Sequence, residues 1–98
     1  MDREEIIACL RSQETELRRR GVRRVALFGS IARNKATAAS DIDILIELDP
    51  AAQIDLYAYA GLKLYIAELF DGPVDVVDRD ALKPHLRRPV LTDAMYAF

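Results

Sequence analysis

Two aspartates stand two residues apart in an otherwise apolar run, Asp41-Ile42-Asp43-Ile44-Leu45-Ile46. Residues i and i+2 of a strand share a face, with Cα atoms about 6.6–6.8 Å apart. Carboxylates so placed repel one another, and aspartate is disfavoured in strands. A hard divalent cation offsets that repulsion, because Mg²⁺ takes one or two carboxylates together with substrate phosphates. Taken alone, the pair also fits a charged strand edge that resists aggregation. A third carboxylate, Asp75, interrupts the β-branched run Val74-Asp75-Val76-Val77. If the two strands are neighbours, Asp75 reaches the same metal centre. Asp78, on the opposite face near the strand end, is its rival. Three carboxylates around two metal ions, beside a loop that holds phosphate, suit in-line phosphoryl or nucleotidyl transfer. Asp75 can also help to deprotonate an attacking hydroxyl.

Such a loop is present. Val25-Ala26-Leu27-Phe28 reads as a strand covered on both faces, and it stops at Gly29-Ser30. Glycine admits close approach of a ligand to the backbone. The amides of the following turn, over Ser30 to about Lys35, point outward and form an anion site. The Ser30 hydroxyl adds a donor. Arg33 is read either as a neutraliser of β- and γ-phosphates or as a surface charge. Lys35 reads as surface, and Ser40 as part of a turn.

Phe28-Gly29-Ser30-Ile31-Ala32-Arg33 and Ser40-Asp41-Ile42-Asp43-Ile44-Leu45, with ten residues between Ser30 and Asp41, together resemble the signature of the minimal nucleotidyltransferases. These belong to the DNA polymerase β superfamily, whose motif is Gly-Ser, then Asp-x-Asp, then a distal third carboxylate. The resemblance covers nearly the whole chain. It implies a polymerase β-like palm, ATP held by Gly29 and Ser30, with Arg33 the further candidate beside them, and two Mg²⁺ ions held by Asp41, Asp43 and Asp75. The implied reaction is attack of a hydroxyl on the α-phosphate with loss of pyrophosphate. The resemblance further implies an antitoxin that transfers AMP to a tyrosine of a HEPN-domain toxin. A non-catalytic antitoxin acting by binding alone is the competing reading, and transfer to RNA or a small molecule is a third. Asn34 stands where many relatives carry glycine; asparagine tolerates the left-handed conformation that glycine would supply.

The elements that must position these residues follow from period and punctuation. Asp2 and Glu5 have capping-box spacing, and Ile6, Leu10 and Leu17 form a helical stripe up to Arg20. Arg18, Arg19 and Arg20 read as a solvated last turn, and Gly21 as the stop. Strands are expected over Val22 to Phe28, Asp41 to Leu48 and Val74 to Val77, with a loop over Ala36 to Ser40. Gln53 to Phe70 is the longest expected helix, with Ile54, Ala58, Leu62, Tyr65 and Leu69 facing the sheet. Asp71-Gly72-Pro73 signals a turn. Asp80 onward reads as helix in pieces, broken at Pro84 and Pro89. The order α-β-α-β-α-β-α gives an α/β (α+β) fold, a small mixed sheet with helices packed on it, and the resemblance implies that it is one nucleotidyltransferase domain over residues 1–98.

Composition excludes much else. Fourteen Lys+Arg against sixteen Asp+Glu leave a net charge of −2, which makes nucleic acid an unfavoured partner. One cysteine, Cys9, excludes an internal disulfide framework. With one histidine, His85, a Cys/His zinc cage within one chain is excluded too. Cys9 reads as a small buried hydrophobe and His85 as exposed. Lys83, Arg87 and Arg88 read as solvated surface. No apolar run spans a bilayer and the acidic start is no signal peptide, so the expected location is the cytoplasm. Leu56, Tyr57, Ala60 and Leu64 form a second apolar side of the long helix, as expected of an oligomer or partner interface. Tyr57, Tyr59, Tyr65 and Tyr96 are expected to be packing residues.

Overall fold

The computed structural model describes residues 1–37 and 40–98; Ala38 and Ala39, in the expected loop over Ala36 to Ser40, lie outside the described residues. Helix α1 (Arg3–Ser12) begins on a closed capping box. The Asp2 carboxylate accepts the Glu5 amide at 2.8 Å, and the Asp2 amide donates back to Glu5. One helix to Arg20 was expected, but the chain turns at Gln13 and a second helix, α2, runs Glu14–Arg19. The Tyr65 hydroxyl donates to the Gln13 side chain and holds that turn. The break lets Ile6, Leu10 and Leu17 all reach full burial. Arg18, Arg19 and Arg20 pair with Glu14 and Glu16, the solvated helix end that was expected.

Strands β1 (Val22–Phe28), β2 (Ile42–Leu48), β3 (Val74–Asp78) and β4 (Met95–Tyr96) form one sheet in the order β3-β2-β1-β4. β1 is antiparallel to β2 and β4, whereas β2 and β3 are parallel, so the sheet is mixed as expected. On one face Val25, Leu27, Ile42, Ile44, Ile46 and Val76 join Ile6, Leu10 and Leu17 in the main core. Residues of opposite parity, Ala26 and Leu45, are buried as well. The turn Arg79–Ala81 packs on β2, and helix α5 (Pro84–Asp93) packs on β1. Cover on both faces is what a continuous apolar run such as Val25-Ala26-Leu27 requires.

Helix α4 (Leu56–Ala67) makes the crossover that the parallel β2–β3 pair needs. It is shorter than the expected Gln53 to Phe70. Gln53 is left-handed (φ 48°) and Asp55 caps the helix by accepting the Ala58 amide at 2.7 Å. Ile54 therefore precedes the helix, and a stripe counted from it loses its phase. Ala58 is exposed, and the buried stripe is Leu62, Ile66 and Phe70, with Tyr59, Tyr65 and Leu69 half-buried beside it. Leu56, Tyr57, Ala60 and Leu64 face outward.

The C-terminal segment also differs from expectation. α5 starts at Pro84 and continues through Pro89. Proline is tolerated in a first turn, and Pro89 forgoes one helical hydrogen bond. The chain then enters β4, with Ala26 opposite Tyr96 and Leu27 opposite Met95. The Ala97 amide donates to Val25 at 2.8 Å, and Arg11 donates to the Ala97 carbonyl at 2.9 Å. A two-residue strand has no period to read, which is why the sequence pattern does not reveal it.

Candidate active site

The neighbouring strands β3 and β2 bring acidic residues together, with β1 on the other side of β2. Antiparallel pairing sets Phe28 opposite Asp43, and parallel pairing sets Asp75 opposite Asp43. Residues in register on adjacent strands share a face at about 4.8 Å between strands. Asp43 and Asp75 therefore lie side by side, and Asp41 stands immediately ahead of β2, close enough for its charge to act on Asp43. Asp78, the rival, has the opposite parity from Asp75 and caps the turn that follows, accepting the Asp80 amide at 3.0 Å.

Crowding has an electrostatic cost at Asp43. Partial burial holds its carboxyl above the usual carboxylate range, and the charges of Asp75 and Asp41 raise it further; Arg33 opposes them. Asp41 and Asp75 are exposed. Among the described residues no three acidic, imidazole or thiol groups converge on one point closely enough to hold an ion. The donor chemistry nonetheless fits Mg²⁺, since all three candidates are carboxylates and the central one, Asp43, resists its own charge.

Gly29 closes the other side. It follows Phe28 directly, with φ +77°, a conformation that L side chains rarely adopt. A Cβ at this position would stand 2.2 Å from Asp43 Oδ2. The absence of a side chain here is what admits the Asp43 carboxylate against the loop backbone. The short helix α3 (Gly29–Ala32) follows, and its N-cap residue Phe28 offers no side-chain acceptor. The first-turn amides, Ser30's among them, are thus left without a side-chain cap. Arg3 donates to the Ala32 carbonyl at 2.9 Å and steadies the other end of α3. Asn34 is left-handed at φ 60°, as its substitution for glycine requires. The Ser40 hydroxyl accepts the Thr37 amide at 2.9 Å, the turn role expected of it.

Arg33 has a partner that the sequence did not suggest. Its guanidinium pairs with Asp93 of α5 at 2.6 Å. The same end of α5 borders an open cleft of ≈ 620 Å³, lined by His85, Arg88, Thr92 and Asp93 among others. Asp41, Asp43 and Asp75 do not line this cleft. The Arg33–Asp93 pair lies 60 residues apart in sequence, and no local pattern could have shown it.

The comparisons decide the family. The nucleotidyltransferase domain family matches residues 10–96 of the chain. The chain belongs to that family. The protein adenylyltransferase MntA of Thermococcus cleftensis is 35% identical to this nucleotidyltransferase over 94 residues, covering 95% of this chain and 93% of the relative. A solved structure described provisionally as a minimal nucleotidyltransferase is 36% identical, with TM-score 0.78 over 97% of this chain and 95% of that one. Another solved structure is the complex of a tri-AMPylated HEPN toxin of Shewanella oneidensis with an MNT antitoxin. It superposes with TM-score 0.61 at 25% identity, covering 90% of this chain and 68% of its counterpart. The expected fold class and family are therefore met, and the nucleotidyltransferase is an enzyme by family. Among the described residues no helix is long and apolar enough to cross a membrane.

Proposed function

We propose that the nucleotidyltransferase transfers AMP from ATP to a hydroxyl of a partner protein, a HEPN-domain toxin, and acts as its antitoxin. The observation that carries this reading is the register of Asp43 with Asp75, closed on the far side by a glycine against the Asp43 carboxylate. Asp41, Asp43 and Asp75 would hold Mg²⁺, which supplies positive charge to the α-phosphate and to the attacking and leaving oxygens. Gly29 admits the Asp43 carboxylate against the loop, and the uncapped amides of α3 with the Ser30 hydroxyl bind the β- and γ-oxygens of the triphosphate. Arg33 adds charge to the same phosphates after leaving Asp93. The acceptor oxygen forms a bond to the α-phosphorus as the bond to the bridging oxygen breaks. Pyrophosphate departs with that electron pair, and the acceptor proton passes to Asp75.

The test is label transfer. The chain is incubated with labelled ATP, Mg²⁺ and a HEPN-domain toxin encoded beside it, as native protein and as the double variant Asp41→Asn/Asp43→Asn. Label on the toxin that vanishes with the double variant and with EDTA is the expected result. Transfer that survives the double substitution would remove the carboxylate mechanism. A toxin neutralised without label would replace catalysis by binding, and label on RNA instead of toxin would change the acceptor.

A further inference from the structure

Helix α4 carries one charged residue, Lys63, among twelve. Its outward side holds Leu56, Tyr57 and Leu64, which are 78%, 89% and 60% exposed. Half of the exposed large hydrophobic residues described in this protein are on this one helix. Tyr57 is thus not the packing residue expected from sequence, whereas Tyr59 and Tyr65 are half-buried. Gly61 lies mid-helix, and a Cβ there would meet nothing within 4 Å. Alanine would stabilise the helix by about 1 kcal/mol at such a position. Among the described residues nothing accounts for glycine; close approach of a second backbone does.

The pattern is symmetric. At 100° per residue, Ala60 and Gly61 straddle the line directly opposite the buried Leu62–Ile66 stripe, and Tyr57 and Leu64 lie on that line one turn to either side. We propose that this face pairs with a second copy of the chain, α4 against α4, antiparallel about a two-fold axis between Ala60 and Gly61. A two-fold interface uses the same patch twice, so each contact must be met by its reciprocal. Here Tyr57 covers the partner's Leu64, Leu64 covers the partner's Tyr57, and Ala60 faces the partner's Gly61, where the backbones come closest. The charges agree with this arrangement. Lys63 turns aside, its amine 5.5 Å from the Tyr59 ring centre, and falls level with the partner's Ala58, so no like charges meet between the helices. A partner of different sequence would not require this large-small-small-large palindrome. The inference stands on α4 alone and does not depend on the transfer reaction.

Sedimentation equilibrium of the full chain over a concentration series tests it. The native chain is expected to dimerise, and Tyr57→Lys or Leu64→Glu to weaken the dimer about tenfold or more, as loss of a central anchor does. The double variant Tyr57→Lys/Leu64→Glu is expected to recover dimerisation, because each lysine then meets the partner's glutamate. Circular dichroism confirms that these exposed positions leave the fold intact. Independently, Ala60→Cys in a Cys9→Ala background is expected to give a disulfide-linked dimer on mild oxidation. A native chain that stays monomeric, or a double variant that does not recover, overturns the proposal. So does loss of HEPN-toxin binding by the single variants without change in self-association, which would assign the face to the toxin.

Discussion

Gly29→Ala is the sharpest perturbation of the site, because its effect can be worked out from contacts. The new Cβ would lie 2.2 Å from Oδ2, 3.1 Å from Cγ and 3.3 Å from Cβ of Asp43. The carboxylate must therefore move by about 1 Å to restore ordinary van der Waals separation. The φ of +77° adds backbone strain of about 1–2 kcal/mol for an L residue, and overpacking adds about 1–3 kcal/mol. A net loss of ~3 kcal/mol corresponds to a Tm lower by roughly 12–24 °C in a domain of this size. Displacing a positioned group by 1 Å costs about a hundredfold in rate. The assays are thermal unfolding and label transfer from ATP below the new Tm. Gly72→Ala is the control: Gly72 also has positive φ, +90°, but a Cβ there meets nothing within 4 Å. It should lose backbone strain energy alone and keep its transfer rate. A Gly29→Ala chain that transfers AMP at the native rate would refute the contact between this glycine and the working carboxylate.

Three further outcomes follow from other contacts. Asp75→Asn removes the charge that most raises the Asp43 carboxyl after burial, so that carboxyl should titrate lower by NMR while transfer falls about a hundredfold; unchanged titration would break the register argument. Tyr96→Phe leaves the buried Glu47, which accepts the Tyr96 hydroxyl at 2.8 Å, with Arg23 at 3.5 Å as its other partner; a loss of about 1–3 kcal/mol by denaturant unfolding is expected. Hydrogen bonds from Arg19, and after it Arg20, hold the Glu16 carboxyl at about 2, below its ordinary 4.5. A depressed carboxyl stabilises the fold above the unfolded value and loses that contribution as pH falls through the folded one. Glu16→Gln should therefore flatten the stability profile between pH 4.5 and 2, as read by thermal unfolding across that range.

What could be read from sequence divides by the range of the interaction. The Asp2–Glu5 box, the Gly21 stop, the alternation of β2 and the Gly29-Ser30 step are local, and each stands where its residues indicate. Asp75 could be matched with Asp43 because both interrupt β-branched runs, and aspartate needs a reason to be there. The break at Gln13, held by Tyr65 from 52 residues away, has no local signal. Arg33 was legible as a charge near the Gly29-Ser30 step, but its present partner, Asp93, comes from a helix whose prolines suggested no continuous element. On α4 the apolar positions were clear, and the phase was not, because a left-handed Gln53 delayed the helix start.

The pairing of β4 with β1 also bears on how the chain is made. Until Met95 and Tyr96 have left the ribosome, the far side of Val25-Ala26-Leu27 offers bare amides and carbonyls beside greasy side chains. Such an edge recruits other nascent strands. Two residues and the Ala97 amide are enough to shut it, and Arg11 latches them from the opposite end of the polypeptide. A chain truncated before Met95 should yield inclusion bodies where one that carries β4 yields clear lysate.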